Sequence, residues 1–82
     1  MNRGQEIRGA DGVIYTVISR KGYLTLLSHE SAEGSCFVVA WPVTPSRGGS
    51  FSWLRTRDFG ADLHRANRYL DEKATAGRRA VT

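Results

Sequence analysis

Three short runs rich in β-branched, aromatic and other apolar residues constrain the fold of this chain more than any other feature. They cover residues 13–18, 23–28 and 36–41. The β-branched and aromatic residues favour extended strands, and runs of this length are short for helices. Turn residues separate the runs: Lys21-Gly22 follows the first, and a polar stretch over residues 30–34 follows the second. The sequence therefore predicts an antiparallel meander of three main strands.

A further strand is predicted before the first run. The Asp11-Gly12 pair lies between residues 5–10 and the run that starts at Val13. Asp-Gly between strand-like segments is a strong hairpin signal, because both residues tolerate positive φ. We therefore expect a hairpin here, which would give a sheet of three to four strands.

One helix is predicted after the strands. Its apolar stripe recurs at spacings of four, three and four residues, in Phe59, Leu63, Ala66 and Leu70. This spacing is typical of one face of a helix. We expect the helix to begin between residues 58 and 61, with Asp58 as a candidate N-cap, and to end at Gly77. The outer charges should pair along the helix, as Arg68 with Glu72 and Asp62 with Arg65.

The predicted fold class is α+β, with a curved antiparallel sheet of three to four strands packed against one C-terminal helix. A chain of 82 residues has room for a single domain,. We expect the ordered core to cover residues 5–74 and residues 75–82 to form a disordered tail.

Both faces of the predicted sheet carry apolar side chains. In the first run, Val13, Tyr15 and Val17 share one face, while Ile14 and Ile18 share the other. Three explanations fit this pattern: the sheet curls into a half-barrel, the helix covers one face and a loop the other, or one face is a partner surface. We favour curling, and keep dimerisation or partner docking as the alternative.

The charge distribution and the single cysteine limit the class of protein. The formal net charge is +4, and residues 1–41 carry equal numbers of basic and acidic side chains, so all of the excess lies in the second half. Cys36 is the only cysteine, so no internal disulfide can form, which favours a cytoplasmic location. No segment approaches the roughly 20 apolar residues of a membrane span, so no membrane association is expected.

No catalytic, metal or cofactor site is predicted. His29 and Cys36 flank one hairpin loop, but the sequence offers no third group to orient them,. The two histidines, His29 and His64, are far apart and match no metal-ligand spacing,. The glycines match no phosphate-binding motif. We therefore expect a protein that is not an enzyme and has no cofactor.

The strongest functional signal is a cluster of arginines around a tryptophan, in Arg47, Trp53, Arg55 and Arg57. If residues 53–57 are extended, Trp53, Arg55 and Arg57 project from one face. Arginine beside an aromatic ring is a common surface for phosphate, single-stranded nucleic acid or an acidic protein. The alternative interpretation is that Trp53 and Leu54 close the core while the arginines are only solvated.

The chain resembles small accessory domains of unassigned function from bacterial plasmids, integrative elements and phages. The likeness covers roughly residues 5–74. The residues that carry it are Asp11-Gly12 with Tyr15-Thr16-Val17, the run Phe37-Val38-Val39-Ala40-Trp41, Trp53, and the stripe Phe59, Leu63, Ala66 and Leu70. Some proteins of this size and source inhibit host defences such as CRISPR systems, so the resemblance implies that an anti-defence role is conceivable here.

Two functional hypotheses follow. The first is a small non-catalytic binding module of a mobile element that docks on a protein or ribonucleoprotein partner. A module of this kind could act as a host-defence inhibitor. The second is a protein that binds RNA or DNA through Arg47, Trp53, Arg55 and Arg57. In either case we expect a monomer or a weak homodimer.

Overall fold

The computed structural model describes residues 3–81, and the side chains of residues 3–75. In chain order the elements are β1 (Glu6–Arg8), β2 (Ile14–Lys21), β3 (Leu24–Ser31), β4 (Gly34–Trp41), β5 (Thr44–Pro45), a 3-10 turn (Arg47–Gly49), β6 (Phe51–Ser52), β7 (Arg55–Asp58) and α1 (Leu63–Val81). Five strands form one antiparallel sheet in the order β1-β2-β3-β4-β7, and β5 pairs with β6. The α+β class is confirmed, but the main sheet has five strands rather than three or four.

The fifth strand is β7, which the sequence does not mark as a strand. Its four residues, Arg-Thr-Arg-Asp, include only one with a strong preference for strands,. Its conformation comes from pairing with β4, in which Arg57 lies opposite Val39 and Arg55 lies opposite Trp41. Tertiary pairing therefore overrides the weak local preference.

The predicted Asp11-Gly12 hairpin is confirmed, with a different turn geometry. The Gly12 N–H donates to the Gly9 carbonyl at 3.0 Å, and Gly12 has a φ of 83° while no described non-glycine residue has a positive φ. The Asp11 carboxylate instead accepts hydrogen bonds from the Val13 N–H at 3.1 Å and the Tyr15 hydroxyl at 3.0 Å. Only the glycine therefore needs the left-handed conformation, and Asp11 stabilises the turn through its side chain.

The hairpin between β3 and β4 is tighter than predicted. Ser31 pairs with Gly34, so only Ala32 and Glu33 form the loop where a longer one over residues 30–34 was expected. Polar side chains next to the turn explain this, because they bond across the strands rather than remaining in a loop. The Ser35 hydroxyl donates to Glu30 Oε1 at 2.9 Å.

The helix begins later than predicted, at Leu63. The Arg65 N–H donates to Asp62 Oδ1 at 2.9 Å, so Asp62 is the N-cap,. Asp58 was the expected cap, but its Oδ1 accepts from the Gly60 N–H at 2.7 Å in the turn that follows β7. Asp58 and Asp62 have the same capping side chain. Because Asp58 is paired with Val38 in the sheet, Asp62 is the aspartate that caps the helix.

The helix also ends later than predicted, because it continues through Gly77 to Val81. A glycine inside a helix costs only about 1 kcal/mol relative to alanine, which good helix formers on both sides can offset. Alanine and arginine residues flank Gly77 over residues 76–80. Residues 75–81, predicted as a disordered tail, are thus part of this helix, and Thr82 lies outside the described residues.

Each face of the sheet has its own core. The loop-side core contains Ile7, Tyr15, Val17, Leu27, Val38 and Ala40. It is covered by Val43, Phe51 and Trp53 of the segment between β4 and β7, residues 42–54, which we call the loop. The helix-side core contains Leu24, Leu26, Val39, Ala66 and Leu70, with Ile18, Phe37, Trp41, Phe59, Tyr69 and Ala74 packed against it. Of the three explanations for the two apolar faces, the structure shows the second: the helix covers one face and the loop covers the other. Curling was the favoured explanation, and the two covering segments account for the burial without it.

The loop reaches the sheet at Gly9. Gly9 is buried and forms a bridge with Phe51. A Cβ atom on Gly9 would lie 2.7 Å from Asp11 Oδ1, 2.9 Å from Tyr15 Cε2 and 3.2 Å from Trp53 Cη2. The missing side chain therefore lets Trp53 pack edge-on against Tyr15, with ring centroids 5.1 Å apart.

Gly9→Ala should destabilise the protein, because the added methyl group would force the Asp11, Tyr15 and Trp53 side chains to shift. Overpacking of this kind typically costs about 1 to 3 kcal/mol of unfolding free energy. Urea denaturation followed by circular dichroism measures the change. A loss below about 0.5 kcal/mol, the range of ordinary surface substitutions, would contradict the tight packing at this glycine.

Tyr15 should make the stability sensitive to alkaline pH. Burial, then the hydrogen bond to Asp11, and then the charges of Asp11 and Asp58, raise the pKa of Tyr15 to about 12. The folded protein keeps the phenol proton at pH values where the unfolded chain releases it. The unfolding free energy should therefore fall as the pH rises from about 10 to 12, by at most about 2 kcal/mol.

Urea titrations across this pH range, on the wild type and on Tyr15→Phe, isolate the contribution of the phenol. The phenylalanine variant retains the ring but cannot ionise, so its stability should fall less steeply. Parallel pH profiles for the two proteins would show that Tyr15 does not carry the effect.

Candidate functional site

Three aromatic side chains extend the helix-side core to the edge of the sheet. Trp41 ends β4, Phe59 follows β7, and Tyr69 lies on α1 beside the buried Leu70. The Tyr69 ring centroid is 5.3 Å from that of Phe59 and 6.2 Å from that of Trp41. All three are half-buried, so they form an aromatic floor at the boundary between core and solvent.

Two cationic side chains lie over this floor. The Arg57 Cζ atom is 5.3 Å from the Tyr69 ring centroid and 5.8 Å from the Phe59 ring centroid. The Lys73 Nζ atom is 5.5 Å from the Trp41 ring centroid. All three distances fall within the range of cation–π attraction. The rings therefore attract the Arg57 guanidinium on the exposed surface of β7.

A cleft of about 200 Å³ opens between β7 and α1 at this point. It is lined by Arg57, Phe59, Arg65, Arg68, Tyr69 and Glu72, and we call it the basic cleft. Arg68 Nε lies 3.5 Å from Glu72 Oε1, with both side chains at least 70% exposed. A pair this exposed holds its partners weakly. The cleft thus presents three guanidinium groups against one carboxylate.

The chemistry of this arrangement is anion recognition. A guanidinium presents a planar fork of N–H donors that matches a carboxylate or a phosphate group. Three such groups around one cleft, with a single acidic neighbour, give a local excess of positive charge. The cleft can therefore bind an anionic group of a partner.

The structure divides the predicted site residues into two groups. Arg57 lies in the basic cleft, and Arg55 follows the same side of β7, opposite Trp41 and exposed. Trp53 lies in the loop-side core against Tyr15. Arg47 belongs to the turn between β5 and β6, whose Gly48 and Gly49 line a different groove beside β1.

The predicted shared face of Trp53 with Arg55 and Arg57 is therefore wrong. β7 begins only at Arg55, so Trp53 and Leu54 lie before it rather than in line with it. Trp53 turns inward to the loop-side core, whereas Leu54 is 88% exposed. The other proposed role of Trp53, closing the core, is the one shown, but Leu54 takes no part in it.

Sequence reasoning missed Arg65, Arg68 and Tyr69 as members of one site. Together with Glu72 they are spaced at i, i+3, i+4 and i+7, which is one side of a helix, and this signal could have found them,. The predicted Arg68–Glu72 pair is confirmed. Asp62, however, accepts the backbone N–H of Arg65 rather than pairing with its guanidinium.

His29 and Cys36 are brought together as cross-strand partners in β3 and β4. Their side-chain contacts nevertheless go elsewhere. The His29 ring packs edge-on against Tyr15, with centroids 5.3 Å apart, and Cys36 Sγ lies 3.3 Å from the Ser31 hydroxyl. Within the described residues, no group of three or more His, Cys, Asp or Glu side chains is arranged to hold a metal ion.

Comparisons with known proteins add no further assignment. No family model matches the chain, and neither the curated proteins nor the solved structures contain a match. The resemblance to accessory domains of mobile elements therefore stays a prediction. In the described part of the chain, α1 does not combine the length and apolar character that crossing a membrane requires.

Proposed function

We propose that this protein is a small non-catalytic binding module that docks on an acidic surface of a protein or ribonucleoprotein partner through the basic cleft. The observation that carries the proposal is the position of Arg57. Its guanidinium lies on the Phe59 and Tyr69 rings, at a cleft that Arg65 and Arg68 also line.

The packing of Arg57 lowers the cost of binding. A free arginine side chain carries about 2 kcal/mol of rotamer entropy, part of which is lost when it binds a ligand. Because two rings already restrict Arg57, less is lost on contact with an anion. Prior ordering of this kind raises affinity without adding a contact.

The same packing favours contacts to anionic groups over the stacking of nucleic-acid bases. Proteins that bind single strands offer aromatic faces on which bases stack. Here Arg57 lies over Tyr69 and Phe59, and Lys73 lies over Trp41. Trp53 packs against Tyr15 in the loop-side core. Nucleic-acid binding through Arg47, Trp53, Arg55 and Arg57 is therefore the less favoured hypothesis, and the experiment below tests it directly.

The resemblance noted in the sequence adds a biological setting to the proposal. A basic module cannot imitate DNA, which requires a strongly acidic surface, but it can dock on an acidic protein or a ribonucleoprotein. A host-defence complex would be such a partner. This part of the proposal is supported by the sequence resemblance alone.

Two triple variants separate the cleft from general positive charge. One is Arg57→Ala with Arg65→Ala and Arg68→Ala, and the other is Arg3→Ala with Arg8→Ala and Arg47→Ala. Each removes three charges from a formal net charge of +4, and all six side chains are exposed. Fluorescence anisotropy with a labelled poly-glutamate peptide measures affinity at about 150 mM salt, where diffuse attraction is screened. Circular dichroism verifies the fold of each variant.

The cleft variant should lose at least about tenfold in affinity, and the control variant much less. Equal losses would show that only net charge matters and would overturn the proposal. A single-stranded oligonucleotide of the same charge serves as the rival probe. Tighter binding of the oligonucleotide, lost in the control variant that lacks Arg47, would favour the nucleic-acid hypothesis instead.

A further inference from the structure

Strand β7 is an outer edge of the main sheet, next to the basic cleft. All four of its residues are exposed. The strand at a sheet edge presents backbone donors and acceptors along its outer side, where another extended chain can pair. The other edge, β1, has only three residues, and Gly9 just beyond it already bridges to Phe51. β7 is therefore the better of the two edges for pairing.

The ladder between β4 and β7 indicates which backbone groups point outward. The Phe59 N–H donates to the Phe37 carbonyl at 2.9 Å. Hydrogen-bonded pairs alternate with non-bonded pairs along an antiparallel ladder, so this bond shows which residues of β7 bond to β4. By this alternation, the backbone N–H and C=O groups of Thr56 and Asp58 point away from β4.

The side chains of β7 give its two sides opposite charge. Arg55 and Arg57 are two residues apart and share the side of the basic cleft, where Arg57 contacts Phe59 and Tyr69,. Thr56 and Asp58 lie on the other side. An added strand would therefore meet two arginines on one side and a carboxylate on the other.

We propose that β7 accepts an extended acidic segment of a partner protein as a sixth strand, with acidic side chains at alternate positions facing Arg55, Arg57 and the basic cleft. This inference rests on the proposed function and specifies the form of the partner. Backbone pairing with Thr56 and Asp58 supplies affinity, and the arginines select the charge pattern.

The spacing of a strand fits this pattern. Residues two apart on an added strand are separated by about 6.6 Å, as Arg55 and Arg57 are on β7. Side chains directly opposite on neighbouring strands have Cβ atoms about 5 Å apart, within reach of a charge-assisted hydrogen bond. The intervening positions would face the Asp58 side, so they should be neutral or basic.

The charges also argue against a second copy of this chain as the occupant. Pairing of β7 centred on Thr56 would place Arg55 opposite Arg57 and would bring two basic clefts together. Like charges directly opposite each other destabilise a strand pair. Charged edge strands commonly prevent self-association in this way. An acidic strand, by contrast, would be attracted by the same arginines.

A capped peptide that alternates glutamate with threonine provides the probe. Its matched control is the same sequence N-methylated at the interior residues, which keeps the charge but removes the N–H donors. On the protein, Thr56→Pro removes an outward N–H that the ladder with β4 does not use, and proline is tolerated at edge positions of this kind. The N-methylated peptide tests the proposal even if this variant fails to fold.

The alternating peptide should bind the wild type, and both Arg57→Ala and N-methylation should weaken binding by at least about tenfold. Amide hydrogen exchange of Thr56 and Asp58 should slow in the complex. If binding requires Arg57 but N-methylation has no effect, the cleft binds acidic groups without strand addition, and this inference fails while the proposed function stands.

The remaining outcomes also separate the two proposals. If this peptide does not bind but the poly-glutamate peptide does, the inference fails and the proposed function stands; if neither peptide binds, both fail. If a single-stranded oligonucleotide binds in their place, the partner is a nucleic acid. Protection of Thr56 and Asp58 that rises with protein concentration in the absence of peptide would identify a second copy as the occupant and would also overturn the inference.

Discussion

The central hairpin, β3 with β4, is apolar on both of its faces, and the rest of the structure depends on this constraint. Leu26 and Val39 pack under the helix, whereas their neighbours Leu27 and Val38 pack under the loop. All four are less than 10% exposed. A sheet of this kind cannot leave one face to solvent, so two separate segments of the chain must cover it. The helix α1 covers one face, and the loop that carries Val43, Phe51 and Trp53 covers the other.

The two segments that cover the sheet have different consequences for function. The loop is fixed by close packing at Gly9, which leaves Trp53 inside the structure. On the other face, the helix-side core ends beside β7 in Phe59 and Tyr69 rather than in aliphatic residues. Arg57 of the edge strand lies on these rings. The basic cleft is thus a product of the fold, because it forms where the helix-side core reaches the solvent beside β7.

The sequence predicted the elements whose local signals agree with their tertiary surroundings. The runs that became β2, β3 and β4, the Asp11-Gly12 hairpin, and the stripe through Ala66 and Leu70 belong to this group. β7 could not be predicted, because its conformation comes from pairing with β4 rather than from its own residues. The candidate site was predicted only in Arg55 and Arg57. The two interpretations of Trp53 could not be separated, because the start of β7 was unknown. The cleft residues of α1 could not be identified without knowing which side of the helix meets the strand.

The surface that an acidic peptide contacts can be mapped by titrating the peptide into ¹⁵N-labelled protein and following the backbone and indole signals. Trp41 and Trp53 are the only tryptophans and lie on opposite faces of the sheet, so their two indole signals report on the two faces. We expect the shifts to concentrate on β7, the adjacent side of α1 and the Trp41 indole, while the Trp53 indole stays unchanged. Shifts centred on Trp53 and the turn that carries Arg47 would contradict docking at the basic cleft.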